Sequence, residues 1–557
     1  MTRVIWTDRS RIEAHQLCER FRFLSYHEGP DHLGIAPARK PLALCVGGAV
    51  HRGLETLLRG SMDGSLALSI VKLEDAAVAA ALADFSLHKS ALALDTTETA
   101  AMTPAEGFDA QVAAQARELG MSADDPAVAE LFQRQRNAAA EFDGWLFSEQ
   151  AALVEGMVRA YARRRLRPLL EEFEVLEVER EGSWLLASWC ANPPVVNTKE
   201  WFLNKEGEAD TELMFMSRPD ALLRSRADNS LYILSYKTAA TWDIRKERDA
   251  QHDMQGLSEG VEVERRLGQW WTEIHQWDGL MQGASSVFMK LTRGCLPNTY
   301  AYLKELSAPP RILGIRYEYL LKFGRWEDKD LSARFGLKVW SQRSHLIRKY
   351  VATSVPARGP AAYSVGDECW SYDWIKDDGS TSKLAWTNWR ARPVWEDGPG
   401  AVRAWIDKLD STEMAMSAFD STVGQEPREM GWKSEAQALG YTATHPLDDV
   451  FPAPLTVYRQ DDQLRDFVEQ IEASETRVAK AVAEVEAAGD EGERRHALNV
   501  HFPMSRRACE YPSSCAMVKL CFGGDDIRAQ PLESGLYRVR TPHHTPELDA
   551  TLAKEPR

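Results

Sequence analysis

Apolar positions recur at helical spacing through the first 172 residues, then switch to a period of two. The string DRSRIEAHQLCERFRFLSYHE (8–28) predicts one helix capped near Ser10, with Cys18 inside it. ALCVGGAVHRGLETLLR (43–59) predicts a short apolar approach, a Gly-Gly break and an amphipathic helix that begins near His51. Residues 60–135 are Ala-rich and predict mostly helix, as do 136–172. FEVLEVERE (173–181) then alternates as a strand does. TELMFMSRPDALLRS (211–225) and SLYILSYKT (230–238) predict two strands joined by a turn over Arg226–Asn229. Helical spacing returns over about 243–291 and again over 461–496. The Trp-, Pro- and Gly-rich stretch between, 335–460, shows no clear period and reads as a β-meander or an elaborated insertion. The pattern as a whole predicts an α/β core with large helical additions.

Four regions follow: a helical 1–135, a core over 136–334, the insertion 335–460, and a C-terminal segment 461–557 expected to pack back on the N-terminus. Composition narrows the class. A 44% apolar and 27% charged chain of 557 residues is neither a fibrous rod nor disordered. The formal net charge of −16 excludes a histone-like coat of DNA, although a local basic groove stays compatible with it. The most apolar region, 66–85, contains Lys72, Glu74, Asp75 and Asp84, so no membrane span is expected there. The opening residues have no signal-peptide character, and a cytoplasmic protein (host cytoplasm if phage-encoded) is the expectation. Eight cysteines are too few for a disulfide scaffold and are expected reduced.

Four short strings carry candidate chemistry. Asp220 and Lys237 fall on neighbouring predicted strands, where a carboxylate can hold Mg²⁺ or Mn²⁺ and a lysine can steady an attacking water. A solvated hairpin with a chance Asp and Lys fits the same strings. His51, just after two glycines, offers a further metal ligand. Cys509, Cys515 and Cys521 are spaced C-x5-C-x5-C and, with Cys18, offer four thiolates to a [4Fe–4S] cluster or a zinc ion. Zinc knuckles use tighter spacings, so iron–sulfur is favoured. Cys45, Cys190, Cys295 and Cys369 show no spacing and read as structural. HDMQGLSEG, past Lys237, can present Gln255 to the site or to the scissile phosphate.

In this order the four features resemble the RecB-type branch of the PD-(D/E)XK nuclease superfamily, closest to its iron–sulfur members. That group includes the nuclease domain of AddB, the CRISPR spacer-acquisition nucleases and many phage nucleases. The resemblance spans most of the chain but is dense only in Cys18, the G-x-x-H string ending at His51, Asp220, the Ser235-Tyr236-Lys237 triplet, Gln255 and the cysteine tail. It implies a restriction-endonuclease-like core, a small mixed sheet flanked by helices. It also implies metal held by His51, Asp220 and the backbone carbonyl of Tyr236, and a structural cluster on Cys18, Cys509, Cys515 and Cys521. Glu179 looks like the accessory glutamate that precedes the Asp strand.

Ser235 departs from the pattern, which has an acid there. Three outcomes stay open. A carboxylate from the following helix replaces it, with Glu247, Asp249 and Asp253 as candidates. Glu177 or Glu179, placed on one strand face by their spacing, contributes. Or the site is crippled, leaving an iron–sulfur DNA-binding protein. The resemblance implies a metal-dependent deoxyribonuclease, an exonuclease acting on single strands or ends in recombination, repair or phage DNA processing, leaving 5′-phosphates. No G-x-x-x-x-G-K-S/T string occurs, so any helicase would be a separate partner. The run Arg163, Arg164 and Arg165 reads as a DNA-backbone contact or as a solvated helix face.

Overall fold

The computed structural model describes residues 3–38, 40–62, 70–88, 92–93, 126–189, 211–239, 244–278, 295–322, 326–327, 340–341, 363–365, 369–375, 381–387, 400–410, 451–509, 515–524, 527–528, 530–542, 544–545 and 547. In chain order its helices are α1 (Arg9–Leu17), α2 (Glu19–Tyr26), α3 (Leu42–Met62), α4 (Ile70–Leu87), α5 (Pro126–Arg164), α6 (Leu166–Glu172), α7 (Ile244–Gln251), α8 (Met254–Asp278), α9 (Pro297–Glu305), α10 (Ala401–Asp410), α11 (Asp461–Glu486), α12 (Glu491–His501) and α13 (Val518–Phe522). The strands used below are β1 (Arg3–Asp8), β2 (Ile35–Pro37), β3 (Phe173–Val178), β4 (Gly182–Trp189), β5 (Thr211–Ser217), β6 (Ala221–Ser225), β7 (Leu231–Ala239), β8 (Ile312–Leu321), β9 (Tyr363–Val365), β10 (Cys369–Ile375), β11 (Thr381–Thr387), β12 (Leu455–Tyr458) and β13 (Tyr537–Val539).

The fold is mixed α/β. Its central sheet has five strands in the order β12-β8-β7-β6-β3. β3, β6 and β7 form an antiparallel meander, and β8 lies parallel to β7. Parallel neighbours need a crossover, which the segment carrying α7, α8 and α9 supplies. Alternation along β7 explains its nearly continuous apolar run. Tyr232, Leu234 and Tyr236 join the core under α3, α4 and α5, whereas Leu231 and Ile233 join the core under α8 and α9. Both faces are therefore covered, and Ser235 and Lys237 share the α8 side with Ile233 by the period of two. Two short α–β approaches rely on glycine. A Cβ at Gly47 would stand 3.1 Å from Thr238 Oγ1, and one at Gly256 would stand 2.7 Å from Tyr317 Oη. They bring α3 and α8 close against the sheet around β7.

A second sheet, β1-β5-β4, pairs the N-terminal strand parallel to β5 and packs Trp184, Leu213 and Phe215 against α8 and α11. The C-terminal segment returns to the N-terminus: β13 pairs antiparallel with β2, and Phe23 packs with Val482 and Phe502. Beneath this junction lies an ionic network. Arg11 bridges Asp8 and Glu547, Arg540 also reaches Glu547, and Arg22 meets Glu475 at 2.8 Å. No described helix is long and apolar enough to cross a membrane.

Several local expectations change. The 8–28 helix is two helices, because Cys18 is extended (φ −164°, ψ 120°); Asp8, rather than Ser10, caps the first. The Gly47-Gly48 pair does not break α3, so His51 lies well inside it; packing against β7 overrides the low helix propensity of glycine. TELMFMSRPDALLRS is two strands in different sheets, because the chain turns at Arg218-Pro219-Asp220. The 461–496 helix stops at Glu486, and Asp490 caps a new one. Within 335–460, β9, β10 and β11 form the antiparallel meander that was one of the two readings; much of the remainder lies outside the described residues.

Gly53 shows how tightly the helical layer is packed: a Cβ there would meet Val158 Cγ2 at 2.6 Å and Ala81 Cβ at 3.2 Å. Gly53→Ala should lower the free energy of unfolding by about 1–3 kcal/mol. Gly144→Ala, where a Cβ would meet nothing within 4 Å, should raise it by up to about 1 kcal/mol. Urea unfolding followed by circular dichroism distinguishes the two signs.

Candidate active site

The turn that ends β5 delivers Asp220 to the end of the central sheet, with its side chain buried. Its Oδ2 accepts the Tyr236 N–H at 2.5 Å, and its Oδ1 lies 3.4 Å from His51 Nδ1. Glu179 follows β3 in a left-handed backbone conformation (φ 47°) and donates its N–H to the Asp220 carbonyl at 3.0 Å. A non-glycine residue held there costs on the order of 1 kcal/mol, and the twist turns the Glu179 carboxylate to the site. His51, Glu179 and Asp220 each bring a ligand atom within 4.8 Å of the others'. Among the described residues they are the one such group of three or more.

Charge holds the group in tension. Burial alone would lift the Asp220 carboxyl, but His51, the Tyr236 N–H and Lys237 keep it below its ordinary value. Burial would lower His51, but the adjacent Asp220 raises it. Burial and the Asp220 charge push Glu179 up to about 8, although Arg218 Nε lies 3.0 Å from its Oε2.

Lys237 comes to the same place from β7. Its Nζ donates to Gln255 Oε1 and lies 3.1 Å from Asp253 Oδ2. Gln255 Oε1 also accepts from Arg9 Nη1 at 2.5 Å, and Gln255 Nε2 donates to Glu259 Oε1 at 2.7 Å. The predicted Gln255 is thus in place. Glu259 was not foreseen from the sequence, yet it lies one helical turn after Gln255, on the same face of α8. It is buried, and its Oε2 has no hydrogen-bond partner. Burial, with the Asp220 charge next, raises its carboxyl well above the ordinary range. Ser235 is also fully buried, with an unpartnered Oγ.

Other expected residues go elsewhere. Asp253 caps α8 through the Gln255 N–H (2.9 Å) and gives its other oxygen to Lys237. Asp249 is exposed and lies 3.7 Å from Lys246, and neither it nor Glu247 belongs to the triad. Glu177 and Glu179 do not share a face: Glu177 points to Arg266 at 2.7 Å, and the left-handed turn at Glu179 ends the alternation. Arg163 and Arg165 are held by internal acids, Glu74 and Asp407 for one and Glu318 for the other. The basic run therefore braces the helical layer instead of standing free for a phosphate backbone; Arg164 also has an interaction partner.

The four spaced cysteines gather where the chain ends meet. The break at Cys18 turns its Sγ to accept the Ser505 N–H at 3.3 Å, and Cys515 Sγ accepts the Met517 N–H at 3.4 Å. The Cys509 carbonyl accepts the Cys515 N–H at 2.9 Å. Burial pushes the Cys521 thiol up to about 11; Arg20 works against this, and the neighbouring Cys515, Cys18 and Cys509 add to it. All four are unbridged, and no three of them form a group within 4.8 Å. Two thiolates on one zinc ion lie at most about 4.6 Å apart, twice the Zn–S bond of about 2.3 Å. Cys45 is buried in the helical core and Cys295 lies partly buried against the second core, consistent with structural roles; the side chains of Cys190 and Cys369 lie outside the described residues.

In comparison with known proteins, no family model matches the chain and no curated sequence matches it.

The raised Glu179 carboxyl sets a pH dependence. A carboxyl with a raised folded-state value stabilises the fold below its unfolded value of about 4.5, and this contribution is lost as pH rises through about 8. The raised His51 acts in the same direction. Without divalent metal, Glu179→Gln should therefore gain in melting temperature over the wild type between pH 5 and pH 8.5. Calorimetry in EDTA that finds a constant difference would contradict this assignment.

Proposed function

We propose that the protein is a metal-dependent deoxyribonuclease with a restriction-endonuclease-like core. The observation that carries the reading is the convergence of His51, Glu179 and Asp220 at one end of the sheet, beside Lys237 and the buried Glu259. The strand order supports it: an antiparallel meander followed by a helical crossover to a parallel strand, with Asp220 opening the second meander strand and Lys237 near the end of the third.

The donor set suits Mg²⁺ or Mn²⁺, which favour oxygen ligands and accept imidazole. His51, Asp220 and Glu179 would hold the ion, with the Tyr236 carbonyl as a further donor. Glu259, whose buried Oε2 has no partner, is the carboxylate that takes the place of an acid at Ser235. When bound, the ion supplies polarisation of the scissile phosphodiester and a lowered pKa for water. Lys237 orients the nucleophilic water and steadies the charge that develops on phosphorus. Burial raises the Glu259 carboxyl well above its ordinary range, and positive charge in the site would favour its ionised form. The water oxygen bonds to phosphorus and the bond to the 3′-oxygen breaks. That oxygen leaves as a hydroxyl, and the 5′-phosphate stays on the other product. The substrate is DNA, as single strands or ends, in recombination, repair or phage DNA processing, with any helicase or recombination partner a separate protein.

Cys18, Cys509, Cys515 and Cys521 are proposed to hold a [4Fe–4S] cluster with a structural role. The electrostatic proximity of Cys521 to the other three and the N–H donors at two of the sulfurs support this. A second reading, an iron–sulfur DNA-binding protein with an impaired site, rests on the unpartnered hydroxyl of Ser235 in the acid's position.

Cleavage of end-labelled single- and double-stranded DNA with Mg²⁺ or Mn²⁺ tests the two. Lys237→Ala should lower the rate by about 10²–10³-fold, and Glu259→Gln by about 10–100-fold. DNA binding without cleavage by the wild type would favour the second reading. Anaerobically purified protein should be brown, absorb broadly near ~400 nm and carry about four irons per chain, and Cys515→Ser should lose them. One tightly held zinc per chain in place of iron would refute the cluster.

A further inference from the structure

We infer that Arg9, from the N-terminal helix, is a phosphate-contacting residue of this site, and that the Gln255 amide oxygen stands where a phosphate oxygen of the DNA binds. The inference rests on the nuclease reading. Two cations, Lys237 Nζ and Arg9 Nη1, converge on that one neutral oxygen. A hydrogen bond to a charged acceptor contributes about 1.5–3 kcal/mol, against about 0.5–1.5 for a neutral one. A phosphate oxygen is thus the better partner for both and can displace the amide.

Arg9 differs from the other arginines near the triad. Arg52 and Arg59 hold Glu55 at 2.5 and 2.8 Å, and Arg218 holds Glu179 at 3.0 Å. The carboxylate paired with Arg9, Glu13, is 3.7 Å away, and the Arg9 side chain keeps 34% of its surface open. Its backbone is fixed nevertheless. β1 is paired along its length with β5, and Asp8 caps α1 through the Arg11 N–H at 2.9 Å. A guanidinium so mounted presents two parallel donors, the geometry that suits a phosphate. Glu259 holds the Gln255 amide from its nitrogen end and so keeps the oxygen aimed at both cations.

The test uses full-length wild type, Arg9→Met, Arg9→Lys and the distant exposed control Arg167→Met. Binding of a fluorescein-labelled 12-nucleotide single strand is followed by anisotropy in Ca²⁺ across a KCl series, and cleavage is measured separately in Mn²⁺. Arg9→Met should flatten the slope of log K against log [KCl] by about 0.7, one phosphate contact on a single strand. It should also slow cleavage by about 10²-fold, with unchanged circular dichroism. Arg9→Lys should restore the slope but not the full rate, because an ammonium lacks the fork. Arg167→Met should change neither. An unaltered slope in folded Arg9→Met overturns the inference while leaving the nuclease reading standing if the wild type cleaves. A wild type that binds without cleaving defeats the nuclease reading, and the slope still decides Arg9. A wild type that does not bind DNA overturns both.

Discussion

The buried Asp220 acts electrostatically on two further carboxyl groups, Glu179 and Glu259, each of them largely withdrawn from water. Like charges so placed cannot all ionise without compensation. Much of the surrounding architecture can be understood as the means of tolerating that crowding. The Tyr236 N–H and His51 stabilise the Asp220 charge, Arg218 leans on Glu179, and burial shifts the Glu259 carboxyl well above its ordinary range. A divalent cation, as proposed, would relieve that stress, so a cluster that is awkward on its own would make sense as a receptor for one.

The scaffold meets this demand by drawing the site from many elements. His51 comes from α3, Glu179 from the end of β3, Asp220 from the turn before β6, Lys237 from β7, Gln255 and Glu259 from α8, and Arg9 from α1. Close glycine contacts at Gly47 and Gly256 set α3 and α8 near the sheet, and the covered faces of β7 fix which side chain looks which way. Neighbouring residues of β7 therefore take opposite tasks: the Tyr236 ring turns to Tyr161, 3.0 Å between hydroxyls, while Lys237 turns to Gln255.

What was legible in the sequence follows from range. Periodicity found the helical layers and the meander strands, and short strings marked His51 and Asp220, because those signals are local. It misplaced the breaks. Cys18 leaves helical geometry beside Ser505, nearly 500 positions away, and Gly47-Gly48 stays helical because α3 must approach β7. Alternation makes Glu177 and Glu179 equivalent, but the left-handed backbone at Glu179 separates them. Glu259 has no motif of its own in the sequence; its only signal is the one-turn step from Gln255 along the same face of α8. Arg9 had no sequence signal: its relevance arises only when β1 pairs with a strand 200 residues on. The arginine run misled for the opposite reason, since its partners Glu74, Glu318 and Asp407 are remote in sequence.

The pairing of β13 with β2, and the reach of Glu547 to Arg11, have a consequence for the order of biosynthesis. The helix that carries Arg9 is buttressed by residues made more than 500 positions later. A ribosome-bound chain can assemble the central sheet and its carboxylates, yet α1 lacks its support until the segment carrying β13 and Glu547 emerges. The sheet end and the cation that faces it therefore mature at different times.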